Sequence, residues 1–326
     1  MSSKRNNNTK LVLKVKRASL FCFGLIFFLF SGQNYYLAVQ NTFRQISVRQ
    51  LDFELPSPAP YPVNFTGQDP PNLTARSAVV MDKDSSVLMY SKNAKLSLLP
   101  ASTVKIMTAL VALDYYQLDD VLSVGEVEEN GQSMKLVRGE KITVRNLLYG
   151  LLLASANDAA LVLAQNYPGG LTNFVAEMNK RAVALHLENT YFASPTGLDS
   201  DKEGKLLPHF SYTTALDLAR LATWALKNPL FSEIIAMRKV TATDISGKIT
   251  HPLFNINQLL GKIEGYKGGK TGWTEEAGEC LVSYVERNNK VVIIVVLGSQ
   301  DRFGETAKLS EWVFANHQWV DITPSI

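Results

Sequence analysis

Only two cysteines occur in 326 residues. Cys22 lies inside an apolar run and Cys280 in an expected strand, so no disulfide joins them and the core must hold the fold. Cys280 reads as a small buried residue. Histidine is almost as scarce. His186, His209, His251 and His317 stand far apart, and none belongs to a pair such as His-Glu-x-x-His. The expected chemistry therefore uses no metal and no cofactor. A Gly-x-Ser-x-Gly elbow is missing, which excludes the histidine-dependent serine hydrolases built on it. Phosphate loops are missing as well.

A basic body is the next absence. The formal charge is +3, but six of the 33 Lys and Arg lie in residues 1–17 with no acid among them. Beyond residue 17, 27 basic side chains face 30 acidic ones. Such a body lacks the positive excess that neutralises phosphates, so nucleic acid is not an expected partner. With 46% hydrophobic and 19% charged residues, the chain suits a globular protein of one or two domains.

The basic head, 1–17, precedes an apolar stretch, 18–39, interrupted at 31–34. That order reads as an export signal. No good small-x-small cleavage site follows, and 18–39 approaches the ~20 residues that span a bilayer. A retained single-pass membrane anchor is expected, with 1–17 cytoplasmic and the bulk outside; cleavage and secretion is the alternative. Pro56, Pro58, Pro60, Pro62, Pro70 and Pro71 then mark 40–74 as an extended stalk, or in part a strap along the domain. A domain over 75–320 and a tail, 321–326, complete the layout.

Within the domain, Ser77 to Met81 and Ser86 to Tyr90 read as a hairpin. Helices follow from Ser102, from a Thr143 cap, from Asn157, from Thr172, from Thr213 and from Pro229. Gly278 to Glu286 and Lys290 to Gly298 form a second hairpin, with Val291 to Leu297 apolar throughout and hence buried on both faces. A helix over Glu305 to Asn316 closes the domain. Strands at both ends with helices between them predict an α+β fold: an antiparallel sheet built from both termini, with an inserted helical lobe. The expected core includes Val79, Leu88, Ile106, Leu110, Leu113, Leu148, Leu152, Leu163, Leu218, Leu221, Val282, Ile293, Val295 and Trp312.

Three short motifs carry chemistry. In Ser102-x-x-Lys105 the spacing puts nucleophile and base on one helical face, about 5–6 Å apart at Cβ. Lysine serves as a base only if burial or a neighbouring cation lowers its pKa, and Lys270 is the candidate neighbour. Ser155-Ala156-Asn157 lies between two apolar helices. There Ser155 can relay a proton and the Asn157 amide can hold Lys105 and substrate, or simply cap a helix. A similar string, Ser91-Lys92-Asn93, ends the first hairpin and reads as surface. Lys270-Thr271-Gly272 precedes the last hairpin. Gly272 lets substrate lie along a strand edge, and the Trp273 and Ser102 backbone N–H groups form the expected oxyanion hole.

Together the motifs resemble those of the low-molecular-mass penicillin-binding D-alanyl-D-alanine carboxypeptidases. The likeness extends from about Arg76 to Trp319 and includes Asn179, Ser194-Pro195-Thr196-Gly197-Leu198-Asp199, Thr213 to Leu218, Asn255-Ile256-Asn257 and Gly278 to Leu281. It implies a β-lactamase-like fold, a serine-type D-Ala-D-Ala carboxypeptidase acting on peptidoglycan stem peptides through a Ser102 acyl-enzyme, acylation by β-lactam antibiotics, and hence a bacterial cell membrane for the expected anchor. The same residues would serve a D,D-endopeptidase cleaving cross-links. A β-lactamase would need a Glu-x-x-Leu-Asn string, which is missing between Ser155 and Lys270. Six intact site residues, Ser102, Lys105, Ser155, Asn157, Lys270 and Thr271, argue against a non-catalytic cell-wall module. Lys270 and Thr271 are expected to hold the substrate carboxylate. Arg302, following the buried strand, adds either a bidentate clamp or a surface salt bridge.

Overall fold

A computed structural model of the chain describes residues 59–127, 131–199, 205 and 208–321. In chain order, β1 (Tyr61–Asn64), β2 (Ser77–Asp82) and β3 (Leu88–Lys92) lead to a 3₁₀ turn, Ala101–Val104, which runs directly into α1 (Lys105–Tyr115). The lobe follows: β4 (Val121–Ser123), β5 (Lys141–Thr143), α2 (Val144–Leu153), α3 (Asn157–Gln165), α4 (Gly170–Ala184), α5 (Ala215–Ala225) and α6 (Pro229–Ala236). After β6 (Lys239–Thr243) and β7 (Thr250–Phe254) come β8 (Tyr266–Thr274), β9 (Gly278–Arg287), β10 (Lys290–Ser299), α7 (Arg302–Asn316) and β11 (His317–Val320).

The main sheet has five strands in the order β3-β2-β10-β9-β8, all antiparallel. Its central strand, β10, explains the unbroken apolar run. Ile293, Val295 and Leu297 join the core shared with the lobe helices, while Val292, Ile294 and Val296 join a second core with Leu309 and Val313 of α7. Successive side chains leave opposite faces of a strand, so a strand covered on both faces is apolar at every position. The expected α+β architecture, a sheet made from both ends of the domain with a helical insertion, is the one observed. It leaves β8 as an edge strand, and the lobe packs against it through the 3₁₀ turn and α6.

Side-chain caps set several helix starts. Thr143 accepts from Asn146 N, Thr214 from Asp217 N, Asn228 from Leu230 N and Phe231 N ahead of Pro229, and Asp301 from Gly304 N.

Several expectations differ from the structure. Leu88, expected in the core, is 41% exposed because it sits on the edge strand β3. Helix α4 starts at Gly170, after the left-handed Gly169, rather than at Thr172. Helix α7 starts three residues early, at Arg302, because Asp301 caps it. The short hairpins β4–β5 and β6–β7 were not expected. The described part of the expected stalk, 40–74, does not stand off the domain. Tyr61–Asn64 pairs with β11, and the Glu305 carboxylate accepts from the backbone N–H groups of Thr74 and Ala75, so the stretch from residue 59 lies along the domain. Residues 1–58 and 322–326, with the expected anchor and most of the tail, lie outside the described residues. Among the described residues no helix is long and apolar enough to cross a membrane.

Candidate active site

The turn before α1 sets the first pair. Lys105 is its first α-helical residue and fully buried, whereas Ser102, three residues earlier, stays partly exposed. Lys105 Nζ lies 2.8 Å from Ser102 Oγ, 2.6 Å from Asn157 Oδ1 and 2.7 Å from the Thr196 carbonyl. The last two are acceptors only. A neutral amine has two hydrogens, and those acceptors take both, which leaves its lone pair for the Ser102 hydroxyl proton. Burial holds Lys105 well below the ordinary lysine range. The charge of Lys270 adds to this, and Asp158 opposes it.

The second pair joins the lobe to the sheet. Lys270 Nζ, on β8, donates to Ser155 Oγ at 2.8 Å and to the Thr271 carbonyl at 2.8 Å. Burial first, and the Arg302 guanidinium second, bring Lys270 down to about 7. Ser155 has φ 59°, left-handed backbone that costs a non-glycine residue about 1–3 kcal/mol. That conformation turns the chain between α2 and α3 and leaves Ser155 buried against Lys270.

Asn157 does not cap α3. It is the first helical residue, Ala156 occupies the cap position, and the amide oxygen is committed to Lys105. Its neighbour Asp158 is buried and accepts from Ser133 Oγ and from Met134 N and Leu136 N, which holds the 131–137 loop against α3.

Gly272 owes its identity to a contact the sequence did not reveal. A Cβ there would lie 3.0 Å from the Pro100 carbonyl, 3.0 Å from Ser102 N and 3.1 Å from Ala101 Cβ. The residue is small because β8 presses on the turn that carries Ser102, a constraint separate from the expected passage of substrate. Trp273 follows with its side chain 60% exposed. Arg302 is no surface salt bridge. Its Nη1 donates to the Gly272 carbonyl at 2.7 Å, and among the described residues no carboxylate pairs with it. It reaches β8 across β9, because β10 and β8 are not neighbours.

Sequence reasoning assigned no role to the loop 194–199. Thr196 holds Lys105 through its backbone oxygen, an atom that leaves no trace in residue type. Pro195 O accepts from Thr108 Oγ1 at 2.7 Å. Gly197 has φ 81°, and a Cβ there would sit 2.0 Å from the Ala101 carbonyl, so only glycine fits. Asn179 clamps both backbone groups of Phe192 where the loop begins. The quoted string Ser194 to Asp199 contained the available signal: a glycine amid small polar residues marks a close backbone approach.

Comparison with known proteins agrees with this geometry. A family model described as D-alanyl-D-alanine carboxypeptidase matches residues 64–301. The D-alanyl-D-alanine endopeptidase of Pseudomonas aeruginosa is 36% identical over 249 residues, covering 74% of this chain and 77% of the relative. The D-alanyl-D-alanine carboxypeptidase DacF of Bacillus subtilis is 33% identical over 257 residues, covering 75% of this chain and 63% of the relative. The crystal structure of a Streptomyces DD-transpeptidase superposes with a TM-score of 0.69 at 32% identity, covering 76% of this chain and all of that one.

Proposed function

The chain belongs to the D-alanyl-D-alanine carboxypeptidase family of serine peptidases that act on peptidoglycan, and from that footing we propose that it removes the terminal D-alanine of stem peptides through a Ser102 acyl-enzyme. One observation carries the reading: the buried Lys105 Nζ lies within hydrogen-bond reach of two oxygens that only accept and of Ser102 Oγ.

On this reading Ser102 Oγ attacks the carbonyl carbon of the penultimate D-alanine while its proton passes to Lys105 Nζ. The new oxyanion is held by the Ser102 and Trp273 N–H groups. As the C–N bond breaks, the departing D-alanine amine takes that proton through Ser155, which restores the neutral Lys105. Water then attacks the Ser102 ester along the same proton path and releases the shortened peptide. Lys270 and Thr271 bind the free C-terminal carboxylate, and Asn157 holds both Lys105 and the substrate backbone. A β-lactam follows the same first step, and its ester persists.

D,D-endopeptidase action on cross-links is the second reading. The 36% identity to the Pseudomonas endopeptidase favours it. Peptidoglycan lies outside the cytoplasm, and six cations precede the apolar 18–39 segment. Both considerations support a single-pass anchor with the domain on the outer side.

Labelled penicillin tests the core of this reading. Peptide mapping should place the label on Ser102, and Lys105→Ala should abolish labelling without unfolding the protein, since alanine keeps the helix. Label on Ser155, or none at all, would sink the acyl-enzyme reading. Mass spectrometry of treated peptidoglycan fragments separates the two activities. Loss of one alanine supports the carboxypeptidase, and splitting of cross-linked dimers supports the endopeptidase.

A further inference from the structure

The peptide unit between Gly272 and Trp273 has its polar ends on opposite sides of β8, because a trans peptide sets C=O and N–H antiparallel. Its carbonyl accepts Arg302 Nη1 at 2.7 Å. Arg302 is held there by its own backbone: its N–H donates to Glu279 Oε2 at 2.8 Å, and Glu279 is the cross-strand partner of Trp273. The guanidinium Nε is buried and has no acceptor among the described residues. A group that ordinarily forks onto a carboxylate is therefore aimed at one neutral carbonyl. The N–H at the other end of that peptide is the proposed oxyanion donor.

We propose that Arg302 is a positioning residue that works through the Gly272–Trp273 peptide, aiming the Trp273 N–H into the cleft and strengthening it as a donor. A charged donor on an amide oxygen draws electron density from nitrogen through the amide resonance, so the N–H becomes more positive and its hydrogen bond stronger. The effect is largest when the acceptor is the oxyanion rather than the ground-state carbonyl, so it favours the transition state. The inference rests on the acyl-transfer reading above.

Phenylboronic acid is the discriminating probe. Its boron accepts Ser102 Oγ, one boron hydroxyl takes the oxyanion position, and it carries no carboxylate. In the full-length protein, Arg302→Met should weaken phenylboronic acid about tenfold, a fraction of the 10²–10³ lost with a whole oxyanion donor. Penicillin acylation should slow by a similar factor, and Arg302→Lys should recover most of both. Selective ¹⁵N-tryptophan labelling gives four backbone amides at most, and the Trp273 amide should move upfield in Arg302→Met alone. If Arg302→Met does not fold, Arg302→Gln, a neutral donor, replaces it and should fall between wild type and the full loss. Wild-type affinity for phenylboronic acid beside slowed penicillin acylation would make Arg302 a carboxylate clamp and overturn the proposal. An unmoved Trp273 amide, or no recovery with Lys, would also overturn it, leaving a structural role. Failure of the wild type itself to be labelled at Ser102 would instead remove the acyl-transfer reading.

Discussion

Asp199 Oδ2 accepts the Thr274 hydroxyl at 2.6 Å, which ties the loop that holds Lys105 to the last residue of β8. Asp199 is 3% exposed, and its other carboxylate oxygen has no partner among the described residues. Thr274 also accepts from Ala277 N at 3.0 Å, which shapes the turn into β9. The proposed base, Lys105, and the proposed donor, Trp273 N–H, thus keep their spacing partly through this one hydrogen bond. Thr274→Val and Asp199→Ala should each cost about 1.5–3 kcal/mol of stability, as expected for a buried hydrogen bond to a charged group. Each should also slow Ser102 acylation, and the double variant should be no worse than the poorer single one. Asp199→Asn keeps an acceptor and should retain most of the rate. Additive losses in the acylation rates would show that the two side chains act separately.

Two glycines against the Ser102 turn should fail differently. Gly197 has positive φ and its missing Cβ direction is blocked by backbone at 2.0 Å, so Gly197→Ala should destabilise by on the order of 3 kcal/mol or more. Gly272 is in ordinary strand backbone with its nearest obstacles at 3.0 Å. Gly272→Ala should therefore fold, with the Ser102 turn displaced by a few tenths of an ångström and acylation slowed about tenfold. Thermal melts beside penicillin labelling rates separate the two outcomes. A Gly272→Ala protein that acylates at the wild-type rate would refute the close approach as a constraint on Ser102.

Why these relationships escaped the sequence is a matter of which atoms act. Ser102, Lys105, Ser155, Asn157, Lys270 and Thr271 declare themselves by side-chain chemistry at recognisable spacing. The central strand β10 declares itself by its unbroken apolar run. Thr196 acts through a carbonyl and Gly272 through an absent side chain. Arg302 acts on a carbonyl two strands from its own neighbour β10, and that separation is a fact of sheet order. Strands of three residues such as β4 and β5 are too short to show an alternation, and β1 (Tyr61–Asn64) finds its partner at the far end of the chain, in β11 (His317–Val320). Leu88 shows the converse: an apolar residue in a strand is core only if the strand is covered, and β3 is an edge.

Lys270 makes the protein's pH response two-sided. Held down to about 7 by burial and by Arg302, it is an ammonium below that pH and an amine above it. In the unfolded chain it keeps its proton to near 10.5. Between those values the unfolded state binds more protons, so this group makes stability rise with pH across the window. Carboxylate binding runs the other way, because it needs the ammonium. KM for a substrate with a free C-terminus should rise as pH passes through about 7, while denaturant midpoints increase relative to those of Lys270→Met. A KM that stays flat while kcat alone changes would mean that Lys270 is not the carboxylate's partner.

A carboxypeptidase must recognise a free C-terminus, and a carboxylate taken out of water needs charged, hydrogen-bonding partners. Lys270 and Thr271 are both buried on the edge strand, two residues and one from Gly272, beside the proposed oxyanion donor. Amidating the substrate should leave that cationic site unpaired and cost about 2–5 kcal/mol in kcat/KM, a factor of roughly 30 or more. Lys270→Ala and Thr271→Ala should shrink the difference between free and amidated substrates. Arg302→Met should slow both alike, because it acts on the oxyanion donor and not on the carboxylate. The ratio of the two kcat/KM values across these variants therefore assigns each residue. Were the wild type to cleave amidated and free substrates equally well, carboxylate recognition would be wrong. A chain that continues past the scissile bond would then be the better substrate, and the endopeptidase reading would move ahead.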